Sequence, residues 1–175
     1  MFPILAGKTR GSVRDLPART GWWWVFLGLL VIVGACGGDD ARPPAAASFS
    51  LDDVRSPGTA VSLPEGEPVV LNFLASWCGP CREELPELER ISKDVTVIGV
   101  DVADNRGKAV ELLDETGVTF PVGYDPEREV FARYRANGMP TTIFIAADGT
   151  EAGRVQGPVS GSTLREWVDR LRAGR

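Results

Sequence analysis

The sequence predicts an α/β fold in which a central mixed β-sheet is flanked by helices on both faces. Two kinds of segment alternate after residue 49: short apolar runs typical of buried strands, and longer segments with apolar residues at helical spacing. The chain then finishes in a strand, a turn at Asp148-Gly149, a returning strand and a helix. This ending adds antiparallel strands to a parallel sheet, so the predicted sheet is mixed.

The strand predictions rest mainly on apolar runs. Residues 69–74 (VVLNFL) and 95–102 (VTVIGVDV) are nearly all apolar, as strands buried on both faces are. The predicted strands are, in chain order, 49–51, 60–63, 69–74, 95–102, 141–146 and a return strand through Val155.

The helix predictions rest on periodicity and on residues that favour helix ends. Pro80 suits a first helical turn, and Pro86 inside the same helix should kink it. The last helix is expected to begin near Thr163, three residues before Glu166, as in a capping box. The predicted helices are 80–92, 106–116, 126–135 and one from 163 that includes Leu171.

The first 35 residues predict a targeting signal. Four basic residues precede the uncharged apolar run 22–35 (WWWVFLGLLVIVGA). A bilayer-spanning helix needs about 20 apolar residues, so this shorter run favours a cleaved signal. It ends at Val33-Gly34-Ala35-Cys36, which resembles the lipobox of bacterial lipoproteins. The resemblance implies cleavage before Cys36 and a lipid on that cysteine; an uncleaved anchor is the alternative.

This reading divides the chain into a signal peptide (1–35), an anchor cysteine with a flexible tether (36–48) and a domain (49–175). The tether is rich in Gly, Pro and Ala and has no apolar periodicity. We therefore expect the protein on the outer face of a bacterial cytoplasmic membrane, held by a lipid or by an uncleaved N-terminal helix.

The charge of the mature chain argues against nucleic acid as a partner. Residues 1–35 contain four basic residues and one acidic residue, so their removal changes the formal charge from −5 to −8. An acidic domain is repelled by phosphate groups, so attachment to the membrane has to come from the anchor.

With Cys36 assigned to the anchor, the remaining cysteines are Cys78 and Cys81. A C-x-x-C pair outside the cytoplasm indicates redox chemistry. Two thiolates supply half of a tetrahedral metal site, and the sequence has no histidine to complete it. We therefore expect neither a metal nor another cofactor, and the absence of histidine also argues against Ser/His and Cys/His hydrolases.

Residues 77–81 (WCGPC) match the active-site motif of the thioredoxin superfamily, which this chain resembles. Residues 138–142 (GMPTT) resemble that family's cis-proline loop, and Pro86 resembles the kinking proline of its active-site helix. The resemblance implies a thioredoxin-like fold, a redox-active disulfide between Cys78 and Cys81, and a cis Met139–Pro140 bond.

Within the superfamily, the chain is most similar to the TlpA/ResA/DsbE group of membrane-anchored bacterial oxidoreductases. The stretch from Cys81 to Pro140 leaves room for an extra strand and helix, and Glu84 completes the group's C-x-x-C-x-x-E pattern. Asn72 stands where thioredoxin has a buried aspartate, so proton handling is expected to involve Glu84. The alternative for Glu84 is a helix-surface residue that contributes about 0.3–1 kcal/mol through the helix dipole.

Cys78 is expected to be an exposed, attacking thiolate, because a helix N-terminus stabilises negative charge and lowers a thiol's pKa. Cys81 would then resolve the mixed disulfide. The resemblance implies that Trp77, Met139 and Pro140 bind substrate along a docking edge. Trp77 is also expected to cover the site as an apolar lid, alongside any contact with substrate. For Pro140, an ordinary trans turn is the alternative.

The predicted function is thiol–disulfide exchange outside the cytoplasm, and Gly79-Pro80 resembles the reducing members of the superfamily. We expect a monomer that reduces disulfides of exported proteins, such as apocytochrome c, and receives electrons from a thiol reductase in the membrane. Two alternatives stay open: an oxidant that forms disulfides in secreted proteins, and a redox-inert binding module with a structural disulfide.

Overall fold

The computed structural model describes residues 45–174. The predicted signal peptide and Cys36 lie outside the described residues. The strands are β1 Ser50–Asp52, β2 Ala60–Ser62, β3 Val69–Leu74, β4 Thr96–Val102, β5 Val122–Asp125, β6 Thr141–Ile145 and β7 Glu151–Gln156. The helices are α1 Gly79–Ile91, α2 Arg106–Glu115, α3 Glu129–Arg133 and α4 Gly161–Arg172.

Within residues 45–174, five strands form the central sheet in the order β5-β4-β3-β6-β7. Strands β3, β4 and β5 are parallel, whereas β6 pairs antiparallel with both β3 and β7. The sheet is therefore mixed, as predicted. Strands β1 and β2 form a separate antiparallel pair, which is linked to β5 by the Asp53–Gly123 bridge.

The side chains of the central strands alternate between two cores, because successive residues of a strand point to opposite faces of the sheet. The first core lies on the face covered by α1, α2 and α4, and it contains Val70, Leu74 and both cysteines. The second core lies on the α3 face and contains Leu71 and Phe73. Helices on both faces confirm the predicted fold class.

Strand β5 is absent from the predictions, and two predicted helices have different bounds. Residues 126–135 are predicted to be helical, but only Glu129–Arg133 are. Strand β5 ends at Asp125, and residues 126–128 form the loop that joins it to α3. The last helix begins at Gly161 rather than near Thr163. Its N-cap is Ser160, whose Oγ accepts a hydrogen bond from the backbone N–H of Thr163 at 3.2 Å.

The predicted tether is too long at its C-terminal end. Ala46 donates its backbone N–H to the Gly149 carbonyl at 2.8 Å, and the Tyr134 hydroxyl donates to the Ala47 carbonyl at 2.5 Å. Residues 45–48 therefore belong to the folded domain, which begins before the predicted residue 49. No helix among the described residues is long and apolar enough to cross a membrane.

Candidate active site

The cysteine pair lies at the end of β3, where the strand leads into α1. All six residues of β3 are buried, and its last residue, Leu74, is four positions before Cys78. Cys78 is the N-cap of α1, and Pro80 stands in the first turn, where its missing N–H leaves no helical hydrogen bond unmade. Cys78 and Cys81 form a disulfide, with their Cα atoms 5.3 Å apart.

The two sulfur atoms differ in accessibility and in polar contacts. Cys78 is 5% exposed and Cys81 is fully buried, so Cys78 is more accessible than its partner but far less exposed than expected. The backbone N–H of Cys81 donates to Sγ of Cys78 at 3.2 Å. In the reduced protein, this N–H and the helix dipole would stabilise a thiolate at Cys78.

Glu84 is buried in the first core, one helical turn after Cys81. Its side chain is 4% exposed. The Asn72 amide donates to its Oε1 at 2.8 Å, and the Val159 backbone N–H donates to its Oε2 at 3.0 Å. Burial raises the pKa of Glu84 to about 7, although both hydrogen bonds act to lower it. The alternative interpretation, a helix-surface charge, is wrong because the carboxyl group is enclosed.

Asn72 connects the active-site helix to the strand that follows the proline loop. Its Nδ2 donates to Glu84 on α1 and also to Oγ1 of Thr142 on β6, at 3.0 Å. A neutral amide at this position on β3 can donate to Glu84 whether that carboxyl group is protonated or ionised. This contact holds Glu84 in place across the pH range in which it titrates.

The loop before β6 has the geometry that the resemblance implies. The Met139–Pro140 bond is cis, so the alternative of a trans turn proline is wrong. The Pro140 carbonyl accepts a hydrogen bond from the backbone N–H of Gly157 at 2.8 Å, and Thr141 Oγ1 donates to the Gly138 carbonyl at 2.7 Å. Met139 is half-buried and packs against both cores.

Trp77 is the only large apolar side chain that is exposed within residues 45–174, with 61% of its surface accessible. Its indole Nε1 donates to the Ala103 carbonyl at 3.3 Å, which ties the ring to the loop between β4 and α2. A side chain that only closed the site as a packed lid would be more buried. Trp77 therefore presents exposed apolar surface beside the disulfide.

Sequence reasoning missed the loop between β4 and α2 as part of the site. Asp104 accepts hydrogen bonds from both the backbone N–H and the hydroxyl group of Ser76, two residues before Cys78. The signal was available: parallel strands end at the same edge of a sheet, so polar residues after β4 must lie near the end of β3. Val159, which holds Glu84 through its backbone, carries no such signal.

The fold and the site together define a thiol–disulfide oxidoreductase of thioredoxin fold. A family model described as Redoxin matches residues 39–167, and the chain belongs to this family.

Similar proteins carry matching names. Thiol:disulfide interchange protein HelX of Rhodobacter capsulatus is 30% identical over 168 residues, which cover 86% of this chain and 96% of HelX. Thiol-disulfide oxidoreductase ResA of Bacillus subtilis is 28% identical over 134 residues, 74% of this chain and 75% of ResA. A crystal structure of a thiol:disulfide interchange protein from Chlorobium tepidum has a TM-score of 0.67 at 30% identity, covering 75% of this chain and 98% of that one.

Proposed function

We propose that the protein is a reductant, which transfers two electrons from the Cys78–Cys81 dithiol to disulfides of exported proteins outside the cytoplasm. Apocytochrome c is the substrate that the TlpA/ResA/DsbE resemblance favours, with Trp77 and the Met139–Pro140 edge as the binding surface. A thiol reductase in the membrane would restore the dithiol by the reverse exchange.

The observation that carries the reducing direction is the burial of Glu84 one turn from Cys81. Residues three apart on a helix lie on the same side, and both of these face the first core. An ionised carboxylate in an apolar core disfavours a second negative charge nearby, which raises the pKa of the thiols. A less stable reduced state has a more negative reduction potential, since oxidising members of the superfamily owe their potential to a stabilised reduced form.

The exchange proceeds in two steps. The Cys78 thiolate attacks one sulfur of the partner's disulfide, a Cys78–partner bond forms, and the partner's other sulfur leaves as a thiolate. Glu84 takes the proton of the Cys81 thiol, and the Cys81 thiolate then attacks Sγ of Cys78. This step releases the partner's second thiolate and forms the Cys78–Cys81 disulfide, so the partner gains the two electrons that the protein loses.

The reduction potential of the full chain, measured at pH 8, tests the direction. We expect a value near that of thioredoxin, about −270 mV, rather than near that of the oxidant DsbA, about −120 mV. At this pH Glu84, with its pKa of about 7, is mostly ionised. Glu84→Gln should therefore give a less negative potential than the wild type.

Glu83→Gln is the matched control, because Glu83 is the neighbouring glutamate of α1 and its side chain is exposed. It should leave the potential close to the wild-type value, since solvent screens an exposed charge. A wild-type potential near −120 mV would instead assign the protein to the disulfide-forming class. Equal reduction potentials for Glu84→Gln and Glu83→Gln would mean that Glu84 does not set the potential of the cysteine pair.

We propose that Cys36 carries a lipid that holds the protein to the membrane. The support is the lipobox-like Val33-Gly34-Ala35-Cys36 at the end of the apolar run. Mass spectrometry of the mature N-terminus should find a modified Cys36 as the first residue, and Cys36→Ala should remove the lipid. An intact residue 1 would favour the uncleaved anchor.

A further inference from the structure

Asp101 is a fully buried carboxyl group that the exchange mechanism does not use. It lies near the end of β4, between Leu74 of β3 and Tyr124 of β5 in the sheet register. Neither of its carboxyl oxygens has a hydrogen-bond donor within the described part of the chain. An ionised carboxylate without a donor is very unfavourable in a protein core, so a buried group of this kind requires an explanation.

Two charged neighbours act on Asp101 in opposite directions. Burial is the largest influence and raises its pKa to about 8; the negative charge of Asp104 and a hydrogen bond between the Asp101 and Asp104 side chains raise it further, and the positive charge of Arg106 on α2 lowers it. Asp101 therefore holds a proton at neutral pH. The other ionisable side chains that lie in or against the first core are Cys78, Cys81 and Glu84 on the α1 side and Tyr124 on β5.

Asp104 holds the segment that leads into the disulfide. Its Oδ2 accepts the Ser76 backbone N–H, and its Oδ1 accepts the Ser76 hydroxyl at 2.8 Å. The Tyr124 hydroxyl donates to the Asp104 carbonyl at 2.9 Å, which fixes this residue from the β5 side. Asp104 thus connects the end of β4 to the residue before Trp77.

The same loop also holds Trp77 directly. The Ala103 carbonyl accepts the indole N–H of Trp77, and Ala103 has a φ of 51°, a left-handed conformation that is uncommon for a residue with a Cβ. A conformation of this kind persists only where its surroundings enforce it. The position of the Trp77 ring therefore depends on the loop that Asp101 and Asp104 enclose.

We propose that Asp101 is a positioning residue of the active site, which donates its O–H to the Asp104 carboxylate and so stabilises the contacts of Asp104 with Ser76 and of Ala103 with Trp77. This hydrogen bond explains why no N–H or O–H group donates to Asp101. The carboxyl groups of Asp101 and Asp104 can form it only when one of them carries a proton. Loss of that proton would place two negative charges side by side, weaken the loop and move the Trp77 ring.

The test follows the Trp77 ring in the full oxidised chain, in which Cys78 and Cys81 do not titrate. The protein is labelled with 5-fluorotryptophan, and the ¹⁹F resonance of Trp77, assigned with Trp77→Phe, is recorded from pH 6 to 10. We expect an inflection near pH 8 in the wild type and none in Asp101→Asn, whose amide donates to Asp104 at every pH. This readout does not depend on the direction of electron transfer or on the proposed function.

Two further variants separate positioning from packing. Asp101→Leu has a similar shape but no donor, so its Trp77 resonance should be displaced from that of Asp101→Asn at every pH. Glu84→Gln should keep the inflection near pH 8, because Glu84 titrates lower. The Trp167 resonance, away from the loop, reports whether each variant is folded. A pH-independent Trp77 resonance in the wild type, an inflection that persists in Asp101→Asn, or identical Asn and Leu spectra would overturn the proposal.

Discussion

Glu84 illustrates how burial changes the chemistry of a single residue. A glutamate in the first turns of a helix is usually a solvated partner of the helix dipole. Here the carboxyl group is enclosed by Asn72, Val159 and the first core, so its proton is held up to about pH 7. In the proposed mechanism this group accepts the proton of the Cys81 thiol, and a pKa of about 7 leaves part of it ionised for that step near neutral pH.

The unfolding free energy should reveal this titration. A carboxyl group whose pKa is raised by folding binds its proton in the folded state at a pH where the unfolded chain has lost it. The wild type should therefore lose stability relative to Glu84→Gln as pH rises from about 4.5 to 7. The pH-dependent part of this difference, on the order of 3 kcal/mol, should be fully present above pH 7 and absent below pH 4.5.

Denaturant unfolding of oxidised residues 37–175 at several pH values measures this difference. Glu83→Gln serves as the control, because the same change of charge on the exposed side of α1 should leave the pH profile unaltered. Parallel profiles for the wild type and Glu84→Gln would show that Glu84 titrates at its ordinary pH.

At the scale of elements, the edge strand β7 is fitted closely to α4. The Trp167 ring stacks on Phe144 of β6, with 4.6 Å between ring centroids, and it covers the backbone of β7 at Gly153. A Cβ at position 153 would overlap the indole ring, so only glycine permits this approach. The contact fixes α4, whose preceding loop supplies the Val159 N–H to Glu84.

Gly153→Ala should therefore destabilise the domain by about 1–3 kcal/mol, the usual range for overpacking. Because the destabilisation comes from overlap between the added methyl group and the Trp167 ring, the effects of Gly153→Ala and Trp167→Ala should be strongly non-additive. In a Trp167→Ala background the ring is absent, and Gly153→Ala should cost little. A double-mutant cycle of unfolding free energies checks this. Additive effects of the two substitutions would mean that the ring and the strand are not in contact.

The elements also show what sequence patterns could and could not predict. The bounds of β3 were predicted because a strand buried on both faces is apolar throughout. The four residues of β5 (VGYD) were missed because they carry no such run, and they form a strand only through pairing with β4. Likewise α3 is shorter than its pattern suggests, since the local sequence does not reveal where β5 ends.

The site was predictable to the extent that it is local in sequence. Cys78, Cys81 and Glu84 fall within seven residues, and their relative placement follows from one helix. The burial of Glu84 and the role of Asp101 depend on neighbours from other strands and loops, namely Asn72, Val159 and Asp104. Contacts between distant segments cannot be read from spacing along one chain.

For the molecule as a whole, the topology gathers the site at one edge of the sheet. The first residues after β3 and β4 and the residues before β6 all lie at this edge, because β6 runs antiparallel to β3. The β3–α1 connection supplies the exposed Trp77 and the disulfide, the loop after β4 holds Trp77 and Ser76, and the connection before β6 supplies the cis-proline. In the proposed function, an extended segment of a partner would bind at this edge between Trp77 and Pro140.

The central claim is that the Cys78–Cys81 pair exchanges with a partner's disulfide, with Cys78 attacking first. The direct measurement is trapping with insulin, a disulfide-bearing probe, followed by mass spectrometry of the adduct. Reduced Cys81→Ser should accumulate a mixed disulfide through Cys78, because the resolving thiol is absent. Cys78→Ser should form none, since Cys81 is buried. An adduct through Cys81, or no adduct in either variant, would contradict the account.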